Sequence, residues 1–214
     1  MLKRTVSFSA SKTTYYFDAS FAQIGNLIEP GRCVFITDQH VYDVQKKFFK
    51  NTKCIQIPAG ESYKVQYVVD QIIEKLIGYG ADRSTTIIGV GGGVVTDITG
   101  YVASVYMRGV PFGFVPTSLL GMVDASIGGK NGIDVGNYKN MVGIIRQPGF
   151  LFYDTSLLRT LPNEEWVNGF AEVIKHAAIK DASLFRELEN KSISHYRKDK
   201  KALTELIRKN VVIK

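Results

Sequence analysis

The stretch GVGGGVVTDITG at 89–100 constrains this chain more than any other feature. The β-branched run TTIIGV at 85–90 predicts a strand, and VVTDITGYVASVYMRG at 94–109 has helical spacing and stops at a glycine. Three glycines therefore join a strand to a helix. Without Cβ atoms the backbone can turn tightly, and a diphosphate can approach the N–H groups at the helix start. The pattern departs from GxGxxG, so a glycine-rich turn that only serves packing is the alternative.

The rest of the chain alternates strand-like and helical segments. The opening TVSFSASKTTYYFDASF predicts a β-hairpin. Further strands are predicted at 32–38, 53–58, 112–116 and 150–154, and further helices at 41–50 and 62–80. This order predicts an α/β fold with a Rossmann-like, mostly parallel sheet over residues 1–160.

Residues 161–214 are predicted to be helical throughout, as the start of a second, all-helical domain. The last helix carries an apolar stripe of Leu203, Leu206, Ile207 and Val211. Because nothing follows Lys214 to cover this stripe, we expect it to be exposed and to promote association. The chain then represents the N-terminal part of a longer protein.

The net charge of +7 belongs mostly to the end of the chain. Residues 186–214 contain nine Lys or Arg against four Asp or Glu, which leaves a net charge of only +2 for residues 1–185. No recognition motif accompanies the basic residues, so we expect a solvated helix face and no nucleic-acid partner.

No apolar run resembles a membrane span or a signal peptide, which predicts a cytoplasmic protein. Cys33 and Cys54 lie in apolar strands and are predicted to be reduced.

Several polar residues in and after the predicted strands are candidates for a binding site. Asp38 ends a predicted parallel strand, where an acid can bind ribose hydroxyls, and Asp97 either lines the glycine turn or is an exposed helix acid. The glycine-rich segment 115–143 reads as a loop with polar groups that could cradle an anionic substrate, or as a flexible surface loop. In FAEVIKHAAIK, Glu172, Lys175 and His176 share one helix face, so Glu172 and His176 either reach a metal or form a local pair.

Five motifs in register carry a family resemblance. They are GGGVVTDITGYVASVYMRG, VPTSLLGMVDASIGGKNGID, KNMVG, DTSLLRTLP and GFAEVIKH. Together they resemble the 3-dehydroquinate synthases of the shikimate pathway. The resemblance implies a homodimeric lyase with an N-terminal NAD-binding domain, a C-terminal helical domain and a divalent metal, zinc or cobalt, between them. It also implies conversion of 3-deoxy-D-arabino-heptulosonate 7-phosphate to 3-dehydroquinate and phosphate by transient oxidation, β-elimination, re-reduction and aldol closure.

The resemblance also assigns residues. It implies these cofactor residues: Asp38, Glu61, Lys64, Gly92, Gly93, Asp97, Thr117, Ser118, Lys139 and Thr160. It implies these catalytic or substrate-binding residues: Asp124, Lys130, Asn140, Glu172 and Lys175, with Arg108 supplied by the partner subunit. Glu172 is also the implied metal ligand.

The chain departs from the family pattern at three points. His40 replaces the usual Asn, and Ser118 replaces the usual Thr but keeps the hydroxyl. The family's two histidine metal ligands belong to a downstream segment, so we expect the chain alone to be inactive. His176 does not match either ligand and is expected to be a surface or core histidine.

Three other functions stay open from the sequence. One is a related sugar-phosphate cyclase such as 2-deoxy-scyllo-inosose synthase, and another is a metal-dependent polyol dehydrogenase. The third is a non-catalytic nucleotide-binding domain.

Overall fold

The computed structural model describes residues 1–9 and 11–214. Within these residues, seven strands form one sheet in the order β1-β2-β9-β6-β5-β3-β4. β1 pairs antiparallel with β2, and every other pairing in this sheet is parallel. The strands are β1 Leu2–Ser7, β2 Lys12–Phe17, β3 Cys33–Asp38, β4 Cys54–Ile57, β5 Thr86–Gly91, β6 Phe112–Pro116 and β9 Phe150–Phe152. The predicted α/β fold with its N-terminal hairpin is therefore confirmed.

Helices cover both faces of this sheet. They are α1 Gln39–Val44, α2 Lys46–Phe49, α3 Gln66–Gly78 and α4 Gly93–Val105. On one face Val69, Ile72 and Ile98 are buried against the strands, and on the other Phe35 packs with Phe49. The helix predicted over 62–80 begins only at Gln66, because Glu61–Tyr63 forms a 3₁₀ turn and Lys64 is not helical. This later start gives Lys64 a position at the edge of the sheet.

The segment 115–143 is more ordered than the predicted loop. It contains a π-helical turn, Gly121–Ala125, and an antiparallel hairpin of β7 Lys130–Val135 and β8 Tyr138–Ile145. The prediction was wrong because the glycines in this segment permit close packing as well as loops. A Cβ at Gly132, for example, would lie 2.6 Å from the carbonyl oxygen of Val142. At Gly100 of the neighbouring α4, the space that a Cβ would need is filled by Asn131 of β7. The hairpin is thereby held against α4.

Residues beyond the sheet are helical, as predicted. The helices are α5 Asn163–Lys180, α6 Ala182–Asn190, α7 Ile193–Lys198 and α8 Lys200–Ile213. The stripe of α8 is not exposed, however: Leu203, Leu206 and Ile207 are buried with Trp166 and Tyr196 in one apolar cluster. The expectation of an uncovered stripe was wrong because α5, α7 and the π-helical turn pack against α8.

Two further predictions from the sequence concern the state of the two cysteines and the presence of membrane-spanning helices. Burial raises the pKa of the Cys33 thiol, and that of Cys54 to about 12, so both favour the protonated, unreactive thiol form. Within the described part of the chain, no helix is long and apolar enough to cross a membrane.

Candidate functional site

A cleft of about 870 Å³ lies at the carboxyl ends of β3, β5 and β6. Ligands of parallel α/β folds bind at this edge of the sheet. Nine of the ten predicted cofactor residues line it: Asp38, Glu61, Lys64, Gly92, Gly93, Asp97, Thr117, Ser118 and Thr160. The tenth, Lys139, lies on β8 with its Nζ 3.9 Å from Glu61 Oε1. His40 also lines the cleft. The structure thus brings the predicted cofactor residues together.

The glycine turn forms one wall of the cleft. β5 ends at Gly91, Gly92 is the N-cap of α4, and no side chain caps the helix start. The first-turn N–H groups are therefore available to a negatively charged group. A Cβ at Gly91 would collide with Val95, and one at Gly92 would lie 3.3 Å from Ser118 Oγ. Packing requires the glycine at 91, whereas the glycine at 92 leaves space beside the helix start.

Lys64 is the most deeply buried charge of the cleft, with only 4% of its side chain exposed. Its Nζ lies 2.6 Å from Asp97 Oδ2 and donates a hydrogen bond of 2.6 Å to Asn140 Oδ1. Burial raises the pKa of Asp97 to about 6, although the ammonium of Lys64 opposes this shift. A buried ammonium stays charged only beside such partners. Lys64 therefore links Asp97 on α4 to Asn140 on β8.

A second cluster lies where α5 meets the π-helical turn. Ligand atoms of Asp124, Glu172 and His176 all lie within 4.8 Å of one another. His176 is buried, and its Nδ1 lies 3.0 Å from Asn210 Oδ1. The amide nitrogen of Asn210 donates to the carbonyl oxygen of Leu206, so its oxygen faces the imidazole. This arrangement assigns a proton to Nδ1 and leaves Nε2 as the ring nitrogen that faces the cluster.

The Nε2 atom of His176 faces two carboxylates. Among the described residues Nε2 has no hydrogen-bond partner, and it lies 3.4 Å from Asp124 Oδ1 and 3.9 Å from Glu172 Oε2. Carboxylates and a neutral imidazole are donors that zinc accepts, and second-shell hydrogen bonds orient such histidines. The residues present therefore fit a divalent metal, with His176 as a donor that the sequence comparison had set aside.

Two lysines neutralise the carboxylates of this cluster. Lys214 Nζ lies 2.6 Å from Asp124 Oδ1, and Lys175 forms an ion pair with Glu172. Burial alone would raise the pKa of Asp124, but the ammonium of Lys214 lowers it below its ordinary value. The hydrogen bond to Glu172 raises the pKa of Lys175. The Asp124 carboxylate is thus held in its ionised form.

Two predicted substrate residues, Lys130 and Arg108, belong neither to the lining of the cleft nor to the carboxylate–histidine cluster. Lys130 is exposed at the start of β7. Arg108 is exposed at the end of a 3₁₀ turn after α4, with φ of +65°. Since α4 contains 13 residues, Arg108 lies about 20 Å from the glycine turn along the helix axis.

Sequence reasoning missed several residues that support the site. Asp134 accepts a hydrogen bond from the backbone of Asn140, and Asn210 orients His176. A carboxylate within the glycine-rich segment was a usable signal for Asp134. No sequence signal identified Asn210 or Lys214, because their partners lie 34 and 90 residues away.

The fold and the cleft define an α/β protein with a nucleotide-type crevice and an adjoining helical region. A family model for the 3-dehydroquinate synthase N-terminal domain matches residues 54–168, and one for the C-terminal domain matches residues 169–214. The chain belongs to the 3-dehydroquinate synthase family.

Curated relatives agree with these matches. A 3-dehydroquinate synthase of Saccharolobus solfataricus is 44% identical over 167 residues, which are 78% of this chain and 47% of the relative. One of Thermodesulfovibrio yellowstonii is 37% identical over 212 residues, which are 99% of this chain and 56% of the relative. The chain thus spans about half the length of the curated relatives that it matches.

Solved structures resemble the fold. The 2-epi-5-epi-valiolone synthase of Streptomyces hygroscopicus subsp. jinggangensis 5008, solved with NAD+ and Zn2+ bound, is 27% identical with a TM-score of 0.85. The match covers 98% of this chain and 61% of that one. A 2-deoxy-scyllo-inosose synthase is 26% identical with a TM-score of 0.71, covering 82% of this chain and 53% of that one.

Proposed function

We propose that the whole protein is a 3-dehydroquinate synthase, a phosphorus–oxygen lyase. It converts 3-deoxy-D-arabino-heptulosonate 7-phosphate to 3-dehydroquinate and phosphate. The observation that carries the proposal is the link from Lys64 to both Asp97 and Asn140, which joins the predicted cofactor side to the predicted substrate side. Membership in the family supports the same reaction.

NAD is the proposed occupant of the cleft. The uncapped start of α4 suits the diphosphate, and Asp38 at the end of β3 suits a ribose hydroxyl. Asp38 also accepts a hydrogen bond from the N–H of Val41, which fixes the carboxylate at the rim. The valiolone synthase that resembles this chain was solved with NAD+, which supports the choice of cofactor.

A divalent metal, zinc or cobalt, is the proposed occupant of the second cluster. Glu172, Asp124 and His176 are the donors that this chain offers. When bound, NAD would supply a reversible hydride acceptor for a secondary alcohol of the substrate, and the metal would supply a Lewis acid for the alcohol oxygen.

Cationic and amide side chains hold the substrate in this proposal. Lys175, Lys130 and Asn140 bind its phosphate and carboxylate, since a doubly charged anion is costly to bury without partners. Lys175 already lies beside Glu172, at the edge of the metal cluster. Asp124 would face the hydroxyl groups of the substrate.

A homodimer completes the proposed site. Arg108 lies about 20 Å along α4 from its own cleft, which favours a role in the site of a partner subunit. Mixing inactive Arg108→Ala and Lys175→Ala proteins tests this point. Random exchange gives half mixed dimers with one intact site each, so activity should return to about a quarter of wild type. No recovery after subunit exchange would contradict the shared site.

The reaction itself is tested with the full-length enzyme. Phosphate release is expected from the heptulosonate phosphate and not from glucose 6-phosphate, without net accumulation of NADH. Release from glucose 6-phosphate would favour the inosose synthase alternative, and net NADH would favour a dehydrogenase. NAD binding without turnover of any substrate would favour a non-catalytic domain.

A matched pair of variants tests the role of Lys175. Lys175→Ala should abolish most phosphate release, whereas Lys180→Ala, exposed on the same helix, should not. Near-wild-type release by Lys175→Ala would contradict the proposed substrate site.

A further inference from the structure

Asp134 is a buried acid on β7, 9% exposed, that none of the roles proposed above uses. It lies where the register of the β7–β8 hairpin shifts, between Ile133 and Val135. At such an irregularity a strand bends and can turn a side chain away from the regular ladder. The question is what this carboxylate does at that bend.

One partner of Asp134 is the backbone of Asn140. The N–H of Asn140 donates to Asp134 Oδ1 at 2.7 Å. Asn140 has φ of +58°, a left-handed conformation that asparagine adopts more readily than most residues other than glycine. The charge-assisted hydrogen bond from Asp134 stabilises this conformation. The carboxylate therefore helps to fix the direction in which the Asn140 side chain leaves the hairpin.

The other partner of Asp134 is the backbone of Lys64. The N–H of Asp134 donates to the carbonyl oxygen of Lys64 at 2.7 Å, and Asp134 forms a bridge with Val65. Asp134 thus holds the two segments whose side chains meet in the bond from Lys64 Nζ to Asn140 Oδ1.

We propose that Asp134 is a positioning residue that sets Lys64 and Asn140 in register for nucleotide and substrate. It acts through these two residues and contacts neither ligand. The inference rests on the proposed function, because Lys64 is there a cofactor residue and Asn140 a substrate residue.

Two substitutions and one control test the proposal on this chain. Asp134→Ala removes the acceptor, Asp134→Asn keeps an acceptor oxygen without the charge, and Asp70→Ala alters an exposed acid on α3. Hydrogen exchange of the Asn140 amide is followed by NMR, with the amides of β5 as a measure of global stability. NAD affinity is measured by calorimetry on the same samples.

Asp134→Ala should accelerate exchange at Asn140 by about tenfold and weaken NAD binding by about tenfold, while protection in β5 is unchanged. Asp134→Asn should change both by about threefold, and Asp70→Ala should change neither. If Asp134→Ala does not fold, Asp134→Asn alone decides, and unchanged exchange at Asn140 in this variant would overturn the proposal.

Two other results would overturn it as well. If Asp134→Ala accelerates hydrogen exchange equally at the β5 amides and at Asn140, the role of Asp134 is purely structural. If exchange at Asn140 is faster but NAD affinity is unaltered, Asp134 does not contribute to NAD binding. If the wild-type chain binds no NAD, the cofactor assignment fails. Exchange at Asn140 then decides by itself whether Asp134 positions that residue.

Discussion

The nucleotide cleft and the carboxylate–histidine cluster differ in how far the chain satisfies their polar atoms. In the cleft, Lys64 is paired with both Asp97 and Asn140. In the cluster, the Nε2 atom of buried His176 has no hydrogen-bond partner within the described part of the chain and faces two carboxylates. The cleft is therefore organised before a ligand arrives, whereas the cluster retains a donor atom that a bound cation would satisfy.

The largest effect is expected from breaking the buried pair of the cleft. Lys64→Met leaves Asp97 without its cation and should lower the free energy of unfolding by about 3 kcal/mol. Urea denaturation of the chain measures this loss. Lys53→Met, at an exposed lysine, is the control. A loss below about 1 kcal/mol for Lys64→Met would mean that the pair is not buried as described.

Asn210→Ala should have the next largest effect. The substitution leaves Nδ1 of buried His176 without a partner and should lower the free energy of unfolding by about 1–3 kcal/mol. It also frees the imidazole to rotate, so cobalt binding, followed by its visible absorption, should weaken. Unchanged stability and cobalt affinity would contradict the orienting role of Asn210.

The free energy of unfolding should depend on pH because of Asp97. Its pKa rises from 3.8 to about 6 on folding, so the folded state binds the proton more tightly. Relative to Asp97→Asn, the wild type is then most stable below about pH 4. It should lose on the order of 1–2 kcal/mol as pH rises to about 6. Thermal melts of both proteins across this range measure the difference, and parallel curves would contradict the assignment.

The smallest effect is expected from an ion pair of the cluster. The Lys175 side chain is half exposed, so Lys175→Ala should change the free energy of unfolding by less than about 1 kcal/mol. Urea denaturation measures this change beside that of Lys64→Met. If Lys175→Ala lowers the free energy of unfolding as much as Lys64→Met does, the ion pairs of the cleft and of the cluster do not differ in strength as described.

The alternation of strands and helices and the glycine turn could be predicted because each depends on local patterns. TTIIGV predicts a strand by its β-branched residues, and the glycines after it lead directly into α4. The β7–β8 hairpin could not be predicted, because its stability comes from contacts with α4, such as Asn131 against Gly100. The covered stripe of α8 was missed for the same reason.

The candidate site also contains residues that could be predicted from the sequence and residues that could not. Family resemblance supplied the cofactor residues, and nine of them line one cleft. Asp134 and Asn210 act through backbone and imidazole contacts that only the folded chain creates. The second cluster depends on the end of the described chain: Asn210 lies on α8, and Lys214, directly after α8, contacts Asp124 across 90 residues of sequence.

Calorimetric titration of NAD into this chain tests the central claim most directly. We expect saturable binding to one site, weakened at least about tenfold in Gly92→Ala, whose added Cβ lies at the start of α4 where the diphosphate would approach. A folded wild-type sample that shows no saturable binding would contradict the claim that the cleft is organised before its ligand arrives.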